Sequence, residues 1–400
     1  MDIVWQGMSL PMRLDAVPEV EQALAAAAPG WPQRRRASDV PSAPIHLWRR
    51  GAGFCQTSPA LSRPLPIPTA ASAACSLIAD LIPNFLLERP DLIGLHCGSA
   101  LVGERLVLFP EAHRAGKSTL SAAFACAGYR VFGDDVLALD AAGQGMALGI
   151  APRLRVPLPA SLPAAFSAYV EAHRGPGDNR YQYLSLPASQ LARHGERAPV
   201  GAIVLLEREP GAAAELLPLA PGDGLLQLLC QNFAADWPAE PLLSPLLELM
   251  KRVPCWLLRY ADPLEAVDVV AEAMRQPAGI TALPASRRWQ EAAHLAPEVD
   301  EGALTGRWQP TAGWRARPLG DELFMISMLA ERAGEVHRLN PVAAGVWRLL
   351  NCEPLGVDEA ADLLVEAFPG VPMKRVATDT RRLFAELSGA GLIQRISSQP

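Results

Sequence analysis

The segment Gly116-Lys117-Ser118-Thr119 constrains the fold of this sequence more than any other feature. The apolar run Arg105–Phe109 precedes it, and residues 117–127 have the composition of a helix that ends before Gly128. A strand, a loop and a helix in this order present loop amides and a helix amino terminus to phosphate oxygens. The lysine adds positive charge, and the serine hydroxyl is suited to bind Mg²⁺. The segment therefore predicts a site for nucleotide phosphates.

The loop before this segment departs from the usual phosphate-binding sequence. Glu111 stands six residues before Lys117, where a glycine is usual, and residues 110–115 contain no glycine. A glycine there allows positive φ and a close approach of the phosphate, whereas a carboxylate repels a triphosphate. An ordinary helix start with Ser118 near the cap is the alternative interpretation. If the loop does wrap phosphate, we expect Glu111 to point away from it.

Two acids and a histidine stand at the ends of neighbouring predicted strands. Asp134 and Asp135 follow the predicted strand 129–132, and His96 lies near the end of the predicted strand 92–97. Strand ends beside a phosphate loop are where a Mg²⁺ ligand and a catalytic base are expected. An Asp-rich turn and a structural histidine are the alternative interpretations.

Residues 92–140 as a whole resemble the catalytic core of bacterial HPr kinase/phosphorylase. The resemblance is carried by Leu95-His96-Cys97-Gly98, by Gly116-Lys117-Ser118-Thr119 and by Gly128-Tyr-Arg-Val-Phe-Gly-Asp134-Asp135, which follow one another at the family's spacing. It implies an α/β fold with the α+β P-loop kinase core of the HPr-kinase type. It also implies ATP and Mg²⁺ as cofactors.

The resemblance further implies roles for the residues of these motifs. Ser118 and Asp134 would bind Mg²⁺, and Asp135 or Asp134 would take the proton from the acceptor hydroxyl. His96 would lie near the transferred phosphoryl group. The ATP phosphates would contact a continuous stretch of loop and helix start, namely Arg114, Ala115, Gly116, Lys117, Ser118 and Thr119.

The family's Glu-x-Arg-Gly-Leu-Gly signature, which follows the acid pair, is absent from this sequence. The segment in its place, residues 148–155, contains Arg153 and Arg155. These arginines could neutralise phosphoryl charge, although a surface strand explains them equally well. Because the signature is missing, we do not expect HPr itself to be the substrate, and phosphorolysis stays open.

Residues 306–400 have the pattern of a separate small domain with three short strands and three helices. Asn340 is positioned to cap a helix that begins at Pro341. Residues 306–395 resemble the PqqD family of winged-helix-like domains, which bind the leader peptides of ribosomally made, modified peptides, and the segment 335–350 carries the resemblance. We predict that three apolar residues of this helix lie in the core of the domain, namely Val346, Trp347 and Leu350.

In the PqqD family, a leader peptide adds as an extra strand beside the third strand and packs on the third helix. The resemblance therefore implies peptide binding by residues 335–339 and by the exposed side of residues 376–388. The residues that this assignment names are Val336, Arg338, Arg381 and Arg382.

These patterns divide the chain into four parts. Residues 1–90 are predicted as an N-terminal α+β region that packs on the kinase core, and 91–275 as the P-loop catalytic domain. Residues 276–305 mix Pro, Ala, Gly and charge, which indicates a linker, and 306–400 are the PqqD-like domain. Within the catalytic domain, residues 173–181 are predicted as a loop.

Composition limits the partners and the compartment. The chain has 36 basic and 42 acidic residues and a formal net charge of −6, which argues against nucleic acid as a partner. Its 7 cysteines form no close pairs, so neither a disulfide framework nor a zinc site is expected. No signal peptide is evident, and no apolar run approaches the roughly 20 residues of a membrane span. We therefore expect a soluble protein of the reducing cytoplasm, without membrane contact.

The two resemblances together imply an ATP-dependent kinase that transfers the γ-phosphoryl group to a Ser or Thr hydroxyl. The acceptor would be a ribosomally made precursor peptide that the C-terminal domain recruits. One alternative is a catalytically degenerate nucleotide-binding scaffold that presents peptides to other modifying enzymes. Another is a kinase for a small molecule, with the C-terminal domain serving assembly. Oligomers are usual in the HPr kinase family, and the sequence leaves this point open.

Overall fold

The computed structural model describes residues 2–37, 43–110, 115–233, 239–275 and 304–396. Their contacts divide the chain into two units. The first unit comprises residues 1–235 and 244–287, and the second comprises residues 236–243 and 288–400. The segment predicted as a linker, 276–305, falls almost wholly outside the described residues.

Six short strands at the beginning of the first unit form one sheet. They are β1 (Asp2–Trp5), β2 (Met12–Asp15), β3 (Gln33–Arg36), β4 (Ile45–Arg50), β5 (Gly53–Thr57) and β6 (Leu65–Ile67). Their order across the sheet is β3-β1-β2-β4-β5-β6. Two helices, α1 (Pro18–Ala27) and α2 (Ala70–Leu87), share a core with this sheet that includes Trp5, Trp31 and Phe85.

Helix α2 is the longest apolar helix of the first unit. The Thr69 side chain caps it by accepting a hydrogen bond from the Ser72 amide at 3.1 Å. Among the described residues, α2 is long and apolar enough to cross a membrane by length and composition, contrary to the sequence expectation. Half of its 18-residue apolar window is buried inside the protein, and Leu77 and Leu81 lie in the core of the first unit.

Twelve further strands complete the first unit. They are β7 (Leu92–Leu95), β8 (Gly98–Val102), β9 (Arg105–Phe109), β10 (Arg130–Gly133), β11 (Leu137–Asp140), β12 (Gln144–Met146), β13 (Arg153–Arg155), β14 (Arg174–Gly177), β15 (Tyr181–Leu184), β16 (Arg197–Arg208), β17 (Glu215–Pro218) and β18 (Cys255–Tyr260). Strands β13, β15 and β14 form a small sheet in that order. The other nine form one sheet whose main path is β10-β8-β9-β16-β12-β11-β7, with β18 beside β16 and β17 beside β18.

Five helices accompany these strands. They are α3 (Lys117–Cys126), α4 (Ala164–Ala172), α5 (Pro221–Cys230), α6 (Ala239–Met250) and α7 (Pro263–Arg275). The residues of α6 up to 243 belong to the second unit. Strands β8 and β9 form an antiparallel hairpin around Gly103, which has φ +61°. The predicted loop at 173–181 is wrong in part, because β14 pairs with β15 through Arg174 and Leu184.

Three parallel strands end at the same edge of the main sheet. Strand β16 pairs in parallel with β9 on one side and with β18 on the other. The carboxyl ends of parallel strands meet at one edge of a sheet. Phe109 at the end of β9 therefore shares an edge with Arg208 at the end of β16 and Tyr260 at the end of β18.

The same sheet explains why His96 meets the acid pair. Leu137 pairs with Leu95 in the β11–β7 ladder, and Gly133 pairs with Ser99 in the β10–β8 ladder. The chain runs directly from β10 to β11 and from β7 to β8, so the residues between those pairs face each other. Asp135 and His96 lie in these two facing connections.

The second unit contains three helices and six short strands among its residues from 304 to 396. The strands are β19 (Arg307–Pro310), β20 (Trp314–Leu319), β21 (Glu322–Ser327), β22 (Val336–Leu339), β23 (Leu355–Gly356) and β24 (Ile393–Arg395). The helices are α8 (Pro341–Cys352), α9 (Val357–Ala367) and α10 (Met373–Gly389), and a short 3-10 helix spans Ala330–Arg332. Two three-stranded sheets have the orders β20-β21-β22 and β23-β19-β24.

The start of α8 follows the sequence prediction. The Asn340 side chain accepts a hydrogen bond from the Ala343 amide at 2.9 Å, and Pro341 is the first helical residue. The apolar face of α8 lies in the core of this unit with Trp308 and Phe384. The predicted three helices are confirmed, whereas the unit has more strands than the sequence indicated. Across both units, the mixed α/β character is confirmed.

Candidate functional site

Gly116 forms the turn from which α3 begins. Its φ of +106° lies in the left-handed region that favours glycine. A Cβ atom at this position would stand 2.7 Å from the hydroxyl of Tyr260, so the backbone approaches β18 too closely for a side chain. The Leu120 amide donates to the Gly116 carbonyl at 2.9 Å, which closes the first helical turn. The sequence-predicted residues Arg114 and Glu111 lie outside the described residues.

A cavity of about 550 Å³ opens beside this turn. Most of the site residues predicted from the sequence line this cavity. Those on its wall are His96, Ala115, Gly116, Lys117, Ser118, Thr119, Asp135, Arg153 and Arg155. Asp134 is not on the wall and stands immediately before Asp135 in the chain. Six lining residues were not singled out by the sequence: Leu154, Pro157, Leu158, Pro159, Tyr181 and Arg208.

The two acids occupy different environments. Asp134 is 3% exposed, and its Oδ2 accepts a hydrogen bond from the Arg153 amide at 2.9 Å. Asp135 lies on the cavity wall, where its Oδ2 accepts from the Arg153 guanidinium at 3.0 Å. Its Oδ1 lies 3.6 Å from Nε2 of His96. The sequence could not assign different roles to the two acids, whereas in the structure Asp134 is buried and Asp135 lines the cavity.

The pKa values of the two acids move in opposite directions. Burial raises the pKa of Asp134 to about 7, and the charge of Asp135 adds to this effect. Burial also opposes ionisation of Asp135, but the hydrogen bond with His96 and the charges of Arg153 and Lys117 outweigh it and lower the pKa. Asp135 is therefore ionised at neutral pH, while Asp134 is close to its midpoint.

Arg153 connects the two acids with a second, smaller cavity. Its guanidinium stacks over Tyr181 at 4.6 Å from the ring centroid and contacts the thiol of Cys75. The second cavity has a volume of about 180 Å³ and includes Arg153, Tyr181 and Cys75 in its wall. Arg153 is therefore held on several sides, which fixes the position of the guanidinium at Asp135.

The charges on the main cavity favour an anionic ligand. Four cationic side chains line it, namely those of Lys117, Arg153, Arg155 and Arg208. Asp135 is the one carboxylate among the lining residues that the structure describes. Lys117 is only 6% exposed, and a cation so far removed from water is stabilised by nearby negative charge.

The residues present fit a Mg²⁺–nucleotide complex. Oδ1 of Asp134 is buried and has no hydrogen-bond partner within the described part of the chain. The Ser118 hydroxyl is close enough to favour the ionised form of this acid. No group of three or more His, Cys, Asp or Glu residues in the described ranges could hold a metal. Mg²⁺ at a nucleotide is commonly bound by one or two protein groups together with phosphates and water.

The candidate peptide-binding residues lie in the second unit. Val336 and Arg338 belong to β22, which is an edge strand of its sheet. Arg381 and Arg382 lie on α10, whose buried residues include Phe384 and Leu387. An edge strand presents unpaired backbone groups to which a further strand can add.

Residues 326–393 match the family model described as coenzyme PQQ synthesis protein D, PqqD. These residues form a PqqD domain. The match confirms the predicted C-terminal recognition domain and does not extend to the first unit, where the kinase core stays a prediction. No curated protein matches the chain.

One similar solved structure is that of TbiB1 in complex with the TbiA(beta) leader peptide. It is 18% identical, covers 22% of this chain and 99% of that chain, and superposes with a TM-score of 0.20.

The three arginines predicted to bind peptide are already engaged in ion pairs. Arg338 lies 2.7 Å from Glu322, with both side chains largely buried. Arg381 lies 2.9 Å from Asp358, and Arg382 lies 3.7 Å from Asp379. Arg338 therefore contributes to the internal structure of the domain, whereas Arg381 and Arg382 are more exposed and better suited to exchange partners.

Proposed function

We propose that the protein is an ATP-dependent kinase of the HPr-kinase type that phosphorylates a Ser or Thr hydroxyl of a ribosomally made precursor peptide. The cavity of the first unit would bind Mg²⁺–ATP, and the PqqD domain would bind the leader segment of the peptide. The observation that carries the kinase proposal is the convergence of Lys117, Ser118, Asp135 and Arg153 on one cationic cavity.

The phosphate end of the nucleotide would lie at the start of α3. Loop amides and the amino terminus of a helix are favourable for phosphate oxygens. Lys117 and Ser118 stand at this terminus. The left-handed Gly116 lets the backbone approach the phosphates without a side chain in the way.

Asp135 is the proposed base. It is ionised at neutral pH and lies on the cavity wall, so an acceptor hydroxyl can donate to it. As the acceptor oxygen forms its bond to the γ-phosphorus, the bond to the β,γ-bridging oxygen breaks and ADP leaves with that electron pair. The hydroxyl proton passes to Asp135, with His96 beside the same carboxylate at 3.6 Å. Geometry favours Asp135 over Asp134, because Asp134 is buried.

Asp134 and Ser118 are the proposed magnesium-binding residues. When bound, Mg²⁺ would neutralise phosphate charge and orient the phosphoryl group. The partnerless Oδ1 of Asp134 supports this assignment. Arg153 would stabilise the charge of the transferring group, and its existing contact with Asp135 fixes where its guanidinium stands.

The leader peptide would add as a strand to the free edge of β22 in the PqqD domain. Backbone hydrogen bonds supply affinity in such an arrangement, and side-chain pockets supply specificity. The edge position of β22 and the family match support the proposal. Because both units belong to one chain, a bound leader raises the effective concentration of the attached acceptor at the kinase site.

The direct test is transfer of phosphate to a precursor peptide. The chain would be incubated with Mg²⁺–ATP and candidate precursor peptides, each with and without its leader segment. We expect a mass increase of one phosphoryl group on a Ser or Thr of the core segment, greatly reduced without the leader. Binding of the peptide without any phosphorylation, under conditions where ATP also binds, would favour a scaffold.

A further inference from the structure

Arg208 is the last residue of β16 and was not singled out by the sequence motifs. Strand β16 runs parallel to β9, which leads into the phosphate loop. On its other side, Arg208 is the register partner of Tyr260 in β18. The strand order therefore brings Arg208 to the edge of the sheet where β9 ends, and Arg208 lines the same cavity as the start of α3.

The alternation of side chains along β16 separates Arg208 from its acidic neighbours. Glu207 and Glu209 flank it, and both pair with Arg259, at 2.8 Å and 3.3 Å. Glu215 joins the same network at 3.1 Å. Successive side chains in a strand point to opposite faces. The acids therefore lie on the face of Arg259, and Arg208 points to the other face, where it lines the cavity.

No carboxylate of the described cavity wall compensates the charge of Arg208. Asp135 is the one acid on that wall and is already held by Arg153 and His96. Within the described ranges, Arg208 forms no ion pair. The planar guanidinium of an arginine can donate two hydrogen bonds to the oxygens of one phosphate group, so an arginine on this wall is well suited to bind phosphate.

A buried hydroxyl at the same edge is a second, independent observation. Tyr260 is 1% exposed, and its hydroxyl has no hydrogen-bond partner in the described part of the chain. The hydroxyl is directed at Gly116, where an added Cβ would stand 2.7 Å away. A buried hydroxyl without a partner is costly. The ends of β16 and β18 therefore offer a charged and a polar group to the same loop.

We propose that Arg208 is a further phosphate-binding residue, whose guanidinium contacts the terminal phosphates of the bound nucleotide. This inference rests on the proposed ATP site and adds a residue to it. Arg208 reaches the phosphates from the sheet, whereas Lys117 reaches them from α3. Tyr260 is a positioning residue that packs against the loop at Gly116.

The test compares Arg208→Gln with the matched control Arg259→Gln. Arg208 ends β16 and Arg259 is the last residue but one of the neighbouring β18, but the two side chains lie on opposite faces of the sheet. Calorimetric titration with Mg²⁺–ATP would be repeated over a series of salt concentrations. We expect Arg208→Gln to weaken binding roughly tenfold or more and to reduce the dependence of affinity on salt. Arg208→Lys should restore part of the affinity, and Arg259→Gln should bind like the wild type.

Three results would overturn the inference. Arg208→Gln could bind Mg²⁺–ATP within about twofold of the wild type, while the wild type binds it well; the proposed function would then survive without Arg208. Equal losses in both variants, with an unchanged salt dependence, would mean that Arg208 acts only through the structure of the sheet. A wild-type chain that binds no Mg²⁺–ATP would overturn both the proposed function and the role of Arg208.

Discussion

The guanidinium of Arg153 lies 3.0 Å from Oδ2 of Asp135, so the arginine proposed to stabilise phosphoryl charge is already paired with the proposed base. This pairing is one of the interactions that lower the pKa of Asp135 against the effect of burial. The same residue donates its backbone amide to Asp134. Arg153 therefore orients both acids before any ligand binds.

Replacing Arg153 by Gln is expected to shift the pH dependence of turnover. The pKa of Asp135 is lowered in the folded protein, so removing a positive charge raises it. The acidic limb of kcat/KM against pH should move to higher pH, together with a loss of rate at the plateau. Arg155→Gln is the matched control, since it lines the same cavity two residues further along β13. An unmoved acidic limb in Arg153→Gln would rule out Asp135 as the group that must be ionised.

Replacing Asp134 by Asn is expected to stabilise the ligand-free protein above neutral pH. The pKa of Asp134 rises from 3.8 to about 7 on folding, so the folded state binds an extra proton between these values. Stability therefore falls as pH rises through this window, and the penalty is complete above it. Asn carries no charge, so the Tm of the variant should exceed that of the wild type at pH 8 by several degrees and approach it near pH 4.

Magnesium and ATP should reverse that order. If Asp134 binds Mg²⁺, Mg²⁺–ATP will raise the Tm of the wild type and raise that of Asp134→Asn much less. Thermal scans with and without ligand at pH 8 measure both effects. An equal ligand-induced increase in the Tm of the two proteins would show that Asp134 does not bind Mg²⁺.

Replacing Gly116 by Ala is expected to abolish nucleotide binding. The backbone would be strained at φ +106°, and the new Cβ would meet the Tyr260 hydroxyl at 2.7 Å. Adding Tyr260→Phe removes the hydroxyl but leaves the backbone strain, so the double variant should recover only part of the affinity. Full recovery would mean that the contact with Tyr260, and not the conformation of the turn, requires glycine.

Replacing Phe384 by Ala is expected to uncouple the two proposed activities. Phe384 is fully buried in the PqqD domain, and such a truncation costs about 3–5 kcal/mol. Peptide binding should be lost, while Mg²⁺–ATP binding by the first unit should persist. Leu363→Ala is the control, because Leu363 is 41% exposed and its truncation should change neither. Loss of nucleotide binding in Phe384→Ala would show that the first unit depends on the fold of the second.

Local patterns of the sequence predicted much of what surrounds the site. The β8–β9 hairpin follows from apolar strands around Gly103, and α3 follows from a helical run that ends before Gly128. The cap of α8 follows from Asn340 and Pro341. In each case the residues that determine the structure are neighbours in the chain, so the sequence contains the whole signal.

Long-range strand pairing limited the prediction elsewhere. Asp135 meets His96 only because the ladders through Leu95 and Ser99 have particular registers, which no local pattern specifies. Arg208 and Tyr260 end apolar strands, and the rule on carboxyl ends of parallel strands points to them. That rule applies only once β16 is known to run parallel to both β9 and β18.

The most direct measurement is the binding and hydrolysis of Mg²⁺–ATP by the wild type, Lys117→Ala and Asp135→Asn. We expect the wild type to bind and slowly hydrolyse ATP, Lys117→Ala to lose affinity, and Asp135→Asn to bind ATP but lose turnover. Lys117 and Asp135 both line the cavity, so a loss of affinity in one variant and of turnover in the other would assign both functions to the same site. A wild-type protein that binds no Mg²⁺–ATP would contradict the kinase proposal and leave the PqqD domain as the functional part of the chain.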